Sequence, residues 1–163
     1  MITKEEDAAP VAAVDKSAWK GIAVYVDHNA AAIHNVTLEL IGKARALASV
    51  TSEPVYALMI GHNIEKSAET LLHYGVEKVF IYDDLALADF RMEPYANAFE
   101  DFIKKVMPSC VLVGATNLGR TLAPRVAARF HTGLTADCTR LEMRENSDLV
   151  QIRPAFVGNI IAQ

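Results

Sequence analysis

Residues 110–130 read CVLVGATNLGRTLAPRVAARF. A short apolar run at 110–113, CVLV, breaks at Gly114 into a polar stretch. Apolar positions then return at helical spacing, which predicts a helix from about Gly119 to Phe130. Pro124 falls in the first turns of that helix, where a missing N–H leaves no intrahelical bond unmade. Strand, loop and helix in immediate succession are the building unit of a βαβ fold.

The same cycle recurs upstream. Residues 21–27, GIAVYVD, are apolar nearly throughout, as a strand covered on both faces requires. From Asn35 the stripe Val36, Leu40, Ala44 and Leu47 predicts a helix that must end before Pro54. Residues 55–60, VYALMI, form the second predicted strand, with a turn at Gly61–His62 and Asn63 as the expected helix cap. The following helix reaches about Tyr74 and stops at Gly75. KVFIY at 78–82 is the third strand, ended by Asp83 and Asp84, and Pro94 sits well at the start of a helix running to Val106. Four strands alternating with helices predict an α/β fold, an open and mostly parallel sheet with helices on both faces. Residues 111–113 are expected inside that sheet. Past Gly133 two further strands are expected, at 137–144 and 149–155, joined by a turn at ENSD, 145–148. This C-terminal hairpin is expected to add a fifth strand to the sheet.

The chain has 163 residues, which suits one ordinary domain. Residues 1–18 lack periodicity and read as a tail or linker, so the domain proper is expected over 19–163. The apolar ending NIIAQ is unusual for a surface terminus and suggests a piece of a longer chain. A net charge of −4 supplies no broad positive field for nucleic acid. Cys110 and Cys138 make neither a disulfide framework nor a metal cluster, which favours a reducing compartment. With no signal-peptide core and no apolar run of about 20 residues, a cytoplasmic protein without membrane insertion is expected.

In an open parallel sheet, ligands gather at the carboxyl ends of the strands, where the strand order reverses. The richest of these ends is GATNLGRTLAPR, 114–125. Thr116, Asn117, Gly119, Arg120 and Thr121 are its candidate cofactor-binding residues. Free helix-start N–H groups favour an anion, glycine allows close approach, and arginine offers a bidentate fork. The competing reading makes Thr116 and Asn117 helix caps and Arg120 a surface residue. Neither GxGxxG nor GxxxxGK[ST] occurs. His28 and His62 both follow strand ends, but a metal would need a third ligand such as Asp27. Cys110 reads as a buried hydrophobe, and Asp137 beside Cys138 opposes a reactive thiol. No set of residues composes a catalytic centre. IRPAFVGN, 152–159, reads either as a boundary turn or as a surface that docks another domain or subunit.

Several stretches taken together resemble the alpha subunit of electron-transfer flavoproteins. The longest is VLVGATNLGRTLAPRVAARFHTGLTADCTRLE at 111–142, followed by QIRPAFVGNIIAQ at 151–163. WKGIAVYVD, VTLELIGKARALA and GVEKVFIYDD resemble the family's opening strand, first helix and third strand. The resemblance is to the amino-terminal domain, over about 19–163. It implies a fold of the adenine-nucleotide hydrolase and universal-stress type and a heterodimer with a beta subunit. It also implies a non-covalent FAD held mainly by a later carboxyl-terminal domain. Electrons would pass between flavin dehydrogenases and a quinone reductase or other acceptor, with bifurcation in some members. On this resemblance Arg120, Thr121 and Arg125 lie on the strand-end helix, and Asp137 and Thr139 lie in a segment crossing toward the partner. Arg125, Asp137, Thr139, Arg153, Phe156 and Asn159 are the interface candidates. The iron–sulfur extension of some members needs cysteines, and residues 1–18 have none. Val157–Gly158 stands where the family usually has two glycines. The isolated chain is expected to be non-catalytic and to bind FAD weakly or not at all. Two rival readings are a stand-alone adenine-nucleotide module using 114–120 and a purely structural interaction domain.

Overall fold

The computed structural model describes residues 16–29, 32–154 and 161–162. After a short 3-10 turn at Lys16–Ala18, four strands alternate with four helices. They are β1 (Ile22–Tyr25), α1 (Asn35–Thr51), β2 (Val55–Gly61), α2 (Glu65–Leu71), β3 (Lys78–Asp83), α3 (Met92–Val106), β4 (Cys110–Leu112) and α4 (Asn117–Phe130). The four strands are parallel and lie in the order β3-β2-β1-β4. The chain moves outward from β1 through β2 to β3, then returns to the other side of β1 for β4. That reversal defines the switch point.

Apolar burial explains the layering. Every residue of β1 is buried, because alternate side chains enter the two cores on either face of the sheet. Ile22 and Val24 pack with Ile41, Ala44 and Leu47 of α1 and with Ala68 and Leu71 of α2. Ala23 and Tyr25 pack with Phe99 and Phe102 of α3 and with Leu122 and Val126 of α4. On that second face Tyr25 stacks on Phe99 at 5.5 Å between ring centroids, and Phe80 meets Phe102 edge-on at 5.2 Å. Such pairs add about 0.5–1.5 kcal/mol beyond area burial.

The C-terminal strands are β5 (Arg140–Met143), β6 (Leu149–Pro154) and β7 (Ile161–Ala162). The hairpin forms where expected, with Ser147 N–H donating to the Arg144 carbonyl at 2.9 Å in its turn. It does not extend the parallel sheet. Its strands make a separate antiparallel sheet in the order β5-β6-β7. Met143 joins the core formed by α1, with Leu141 and Leu149 packed beside it. Among the described residues strand β4 is consequently the last strand on its side of the parallel sheet and not an interior one. The local pattern at 110–113 reads the same way in either place, because α4 and its neighbours cover it.

Two helix starts also differ from expectation. Helix α4 begins at Asn117, so Pro124 lies well inside it. There it removes the N–H that would bond the carbonyl of Arg120. Asn63 does not cap α2. It takes a left-handed φ of 55°, and the cap position falls to Ile64, with no side-chain bond of its own. The capping acceptor comes from a neighbouring strand. Asp83, the last residue of β3, accepts the N–H groups of Asn63 and Ile64 at 2.9 Å each.

At the amino ends of the strands, one carboxylate ties the layers together. Glu53 Oε2 accepts the Gly21 N–H at 2.8 Å and the Ser109 hydroxyl at 2.7 Å. Its Oε1 accepts the Ser147 hydroxyl of the hairpin turn at 3.0 Å.

Candidate functional site

The candidate site is the mouth of the switch point, formed by the loops after β1 and β4 and by the start of α4. Thr116 takes an extended conformation and its hydroxyl accepts the Gly119 N–H at 3.1 Å, an ordinary N-cap. Asn117 is the first helical residue, and its carbonyl accepts the Thr121 hydroxyl at 2.7 Å. Gly119 serves an internal contact. A Cβ there would stand 2.0 Å from the Gly114 carbonyl oxygen, so its absence lets α4 sit directly on the end of β4.

Arg120 and Asp137, which the sequence offered for different roles, form one unit. Arg120 Nη2 donates to Asp137 Oδ1 at 2.7 Å, Nη1 donates to Oδ2 at 3.3 Å, and Nε donates to the Ala115 carbonyl at 3.1 Å. Asp137 holds a left-handed φ of 55° in this arrangement. Aspartate tolerates that region better than most residues. The fork expected to meet an anion therefore already meets a carboxylate of its own chain. A dinucleotide pyrophosphate would have to displace Asp137, so these residues do not fit one as they stand.

The remaining candidates are spread out. Arg125 pairs with Glu93 Oε1 at 2.7 Å, linking α4 to α3. Beside it Arg129 bridges Glu93 and Glu100, the latter at 2.8 Å. Thr139 braces the hairpin: its N–H and its hydroxyl both donate to the Ile152 carbonyl, at 2.8 and 3.2 Å. Arg153 is exposed on β6. Phe156, Asn159 and the Val157–Gly158 pair lie outside the described residues.

His28, His62 and Cys138 have structural partners, the Cys138 thiol lying 3.3 Å from the Thr135 carbonyl. His28 Nε2 donates to the Ile60 carbonyl at 2.9 Å, and His62 Nδ1 lies 3.2 Å from Asp83 Oδ1. Among the described residues no three His, Cys, Asp or Glu side chains converge as a metal site. Bonding to the Ile64 N–H, then to Asn63 and His62, holds the Asp83 carboxyl below its ordinary value. Burial, aided by the Glu53 charge, pushes the Cys110 thiol up to about 12. Burial also raises Cys138. Neither thiol is a thiolate near neutral pH. No described helix is long and apolar enough to cross a membrane.

Two contributors escaped the sequence reading. Glu53 precedes a proline in a short connection, and nothing local marks it as the acceptor for three segments. Asp137 was singled out, but as an interface residue and not as the partner of Arg120. Pairing at a separation of 17 residues, across an irregular segment, leaves no periodic trace.

Residues 22–163 match the family model described as the electron transfer flavoprotein domain. A subunit of the lactate dehydrogenase (NAD(+),ferredoxin) of Acetobacterium woodii, LctC, is 66% identical over the whole of this chain, which covers 38% of that protein. The electron transfer flavoprotein subunit alpha of Thermoanaerobacterium thermosaccharolyticum is 42% identical over 88% of the chain and 44% of the relative. That of Clostridium acetobutylicum is 41% identical over 91% of the chain and 45% of the relative. The chain thus spans less than half the length of these relatives. With the parallel sheet, the helices on both faces and the match over residues 22–163 in agreement, the chain belongs to the electron transfer flavoprotein family and matches its alpha subunits.

Proposed function

We propose that this chain is the amino-terminal domain of an alpha-type subunit, and that it serves electron transfer by joining a companion beta subunit in a FAD-containing, cytoplasmic complex. In this reading the flavin supplies the redox chemistry when bound. The parallel sheet and its flanking helices contribute the platform, and most of the flavin contacts lie in the part of the longer relatives that this chain does not cover. The complex is an electron carrier, and the domain alone is not an enzyme. The observation that carries the reading is the Arg120–Asp137 pair at the switch point. The most ligand-like cation of the mouth is satisfied within the chain, in a protein whose family works through flavin.

Purification of the 163-residue chain tests this directly. The expected product is a folded, colourless protein with no measurable FAD affinity. An equimolar flavin spectrum co-purifying with the chain would overturn the reading. Titration calorimetry with ATP and AMP separates the stand-alone nucleotide module, which requires micromolar affinity for one of them. Companion-subunit association, measured with the full-length alpha subunit, is required by the proposal.

A further inference from the structure

Strand β4 borders the parallel sheet with part of its backbone unmet, and the register shows which part. Ile22 N–H donates to the Pro54 carbonyl at 2.9 Å and Val26 N–H to the Leu58 carbonyl at 2.8 Å, so alternate residues of β1 from Ile22 onward bond toward β2. Ala23 and Tyr25 therefore bond toward β4. In a parallel ladder one residue of each opposed pair makes the bonds and the other turns its groups away. Ala23 stands opposite Val111, so the Val111 N–H and carbonyl point out from the border of the sheet. Among the described residues neither group has a backbone partner.

The two borders of the sheet are built differently. On β3, Lys78, Ile81 and Asp83 are exposed, and charges of this kind guard a free edge against further pairing. Strand β4 carries no charge and none of its residues is exposed. Both of its faces are covered, Cys110 and Leu112 by the core of α1, Val111 and Val113 by that of α3 and α4. Only the edge is left, between two covered faces, which is the setting of an interior parallel strand. Backbone groups in that setting are met by one more extended segment.

The course of the chain indicates where that segment comes from. The two oxygens of Glu53 hold the Ser109 hydroxyl, just before β4, at 2.7 Å and the Ser147 hydroxyl of the hairpin turn at 3.0 Å. The turn therefore lies beside the amino end of β4. Strand β6 leads away from the turn, and β7 pairs antiparallel to it, with Arg153 opposite Ala162, so β7 heads back. Chain following β7 is directed to the amino ends of the parallel strands, where a strand parallel to β4 has to start. This chain spans less than half the length of its relatives, so the longer subunit has residues to supply it.

We propose that the segment of the alpha subunit following residue 163 adds a strand at the open edge of β4, parallel to it, and bonds the Val111 N–H and carbonyl. This rests on the functional reading above in taking the chain as part of a longer alpha-type subunit. The added strand makes β4 interior and ties the rest of the subunit to this domain through the sheet itself.

Residue-resolved amide exchange, on the 163-residue chain and on the full-length alpha subunit, reads the bond. The Val111 N–H is expected to exchange about 100-fold or more slowly in the full-length subunit than in the shorter chain, whereas the Leu112 N–H, which faces β1, is slow in both. Val111→Pro removes the outward donor. It is expected to lower the melting temperature of the full-length subunit several degrees more than that of the 163-residue chain, because only an interior strand uses that N–H. Equal exchange at Val111 in the two chains overturns the proposal. Slow exchange that appears only when the companion subunit is added assigns the edge to that subunit and overturns it. Slow exchange in the 163-residue chain that is lost on dilution assigns the edge to a second copy and overturns it likewise. Companion-subunit association is measured separately. Association with Val111 still exchanging fast sinks the strand and leaves the functional reading standing. No association by the wild-type pair overturns the functional reading, and the exchange at Val111 still decides the strand.

Discussion

The carboxylate of Glu53 and the hydroxyl of Ser147 meet at 3.0 Å across a separation of 94 residues. Through this contact the antiparallel hairpin is joined to the amino ends of the parallel strands, because the same carboxylate also holds Gly21 and Ser109. Replacing one acceptor oxygen by an amide NH2 puts a donor where the carboxylate accepted, so one of these bonds must reverse or break, and the charge that strengthens all three is lost. Glu53→Gln is expected to lower stability by about 1–3 kcal/mol, and Ser147→Ala by about 0.5–1.5 kcal/mol. Urea unfolding midpoints measure both. An unchanged midpoint for Glu53→Gln would show that the carboxylate is incidental.

Gly119 and Gly42 both lie in helices and respond oppositely to alanine. At Gly119 the added carbon would overlap the Gly114 carbonyl at 2.0 Å, so α4 must move off β4. Gly119→Ala is expected to cost about 3 kcal/mol or more, in the range of severe overpacking. Gly42 lies within α1 with nothing within 4 Å of the added carbon. Gly42→Ala is therefore expected to stabilise by about 0.5–1 kcal/mol. Thermal melts of the two variants should move in opposite directions, and a shared direction would refute the packing argument.

The Arg120–Asp137 pair is bidentate, but both side chains are more than half exposed. Solvent screening limits such a pair to about 0.2–1 kcal/mol. A double-mutant cycle with Arg120→Ala and Asp137→Ala should return a coupling energy in that range, shrinking at high salt. A coupling above about 2 kcal/mol would mean the pair is shielded from solvent in solution and acts as a structural clamp.

Asp83 links stability to pH. Its folded carboxyl titrates below the unfolded value because it accepts two backbone N–H groups and faces His62. The associated stability is present above the unfolded pKa and is lost as pH falls through the lowered folded one. Asp83→Asn is expected to be less stable than wild type at neutral pH, with the difference narrowing as pH falls below the ordinary carboxylate range. Denaturant midpoints collected across that range provide the comparison. A gap that stays constant with pH would remove Asp83 from the acid response.

Much of this architecture is legible in local patterns. The apolar run at 22–25, the stripe from Val36 to Leu47 and the Gly75 stop each depend on near neighbours, and each element stands where its period places it. What was not legible depends on distant partners. Asn63 has the composition of a cap, yet Asp83, 20 residues away, does the capping. The strands at 140–143 and 149–154 have ordinary strand composition, which carries no information about the sheet they join. At the mouth, residue types suited to anion binding were visible. The Asp137 carboxylate that already occupies the Arg120 fork became apparent only from the fold.

The central placement of β1 carries a kinetic consequence. Its partner β4 lies far downstream, with Ile22 opposite Cys110, whereas β2 and β3 are joined through one short helical crossover. During synthesis the first three strands can emerge and associate while one flank of β1 still waits for its partner. Loop-closure entropy makes that last pairing the slow, high-contact-order step. Pulse-labelled amide exchange should therefore find β2–β3 protected first, with a nascent chain released before Cys110 left holding an open apolar edge.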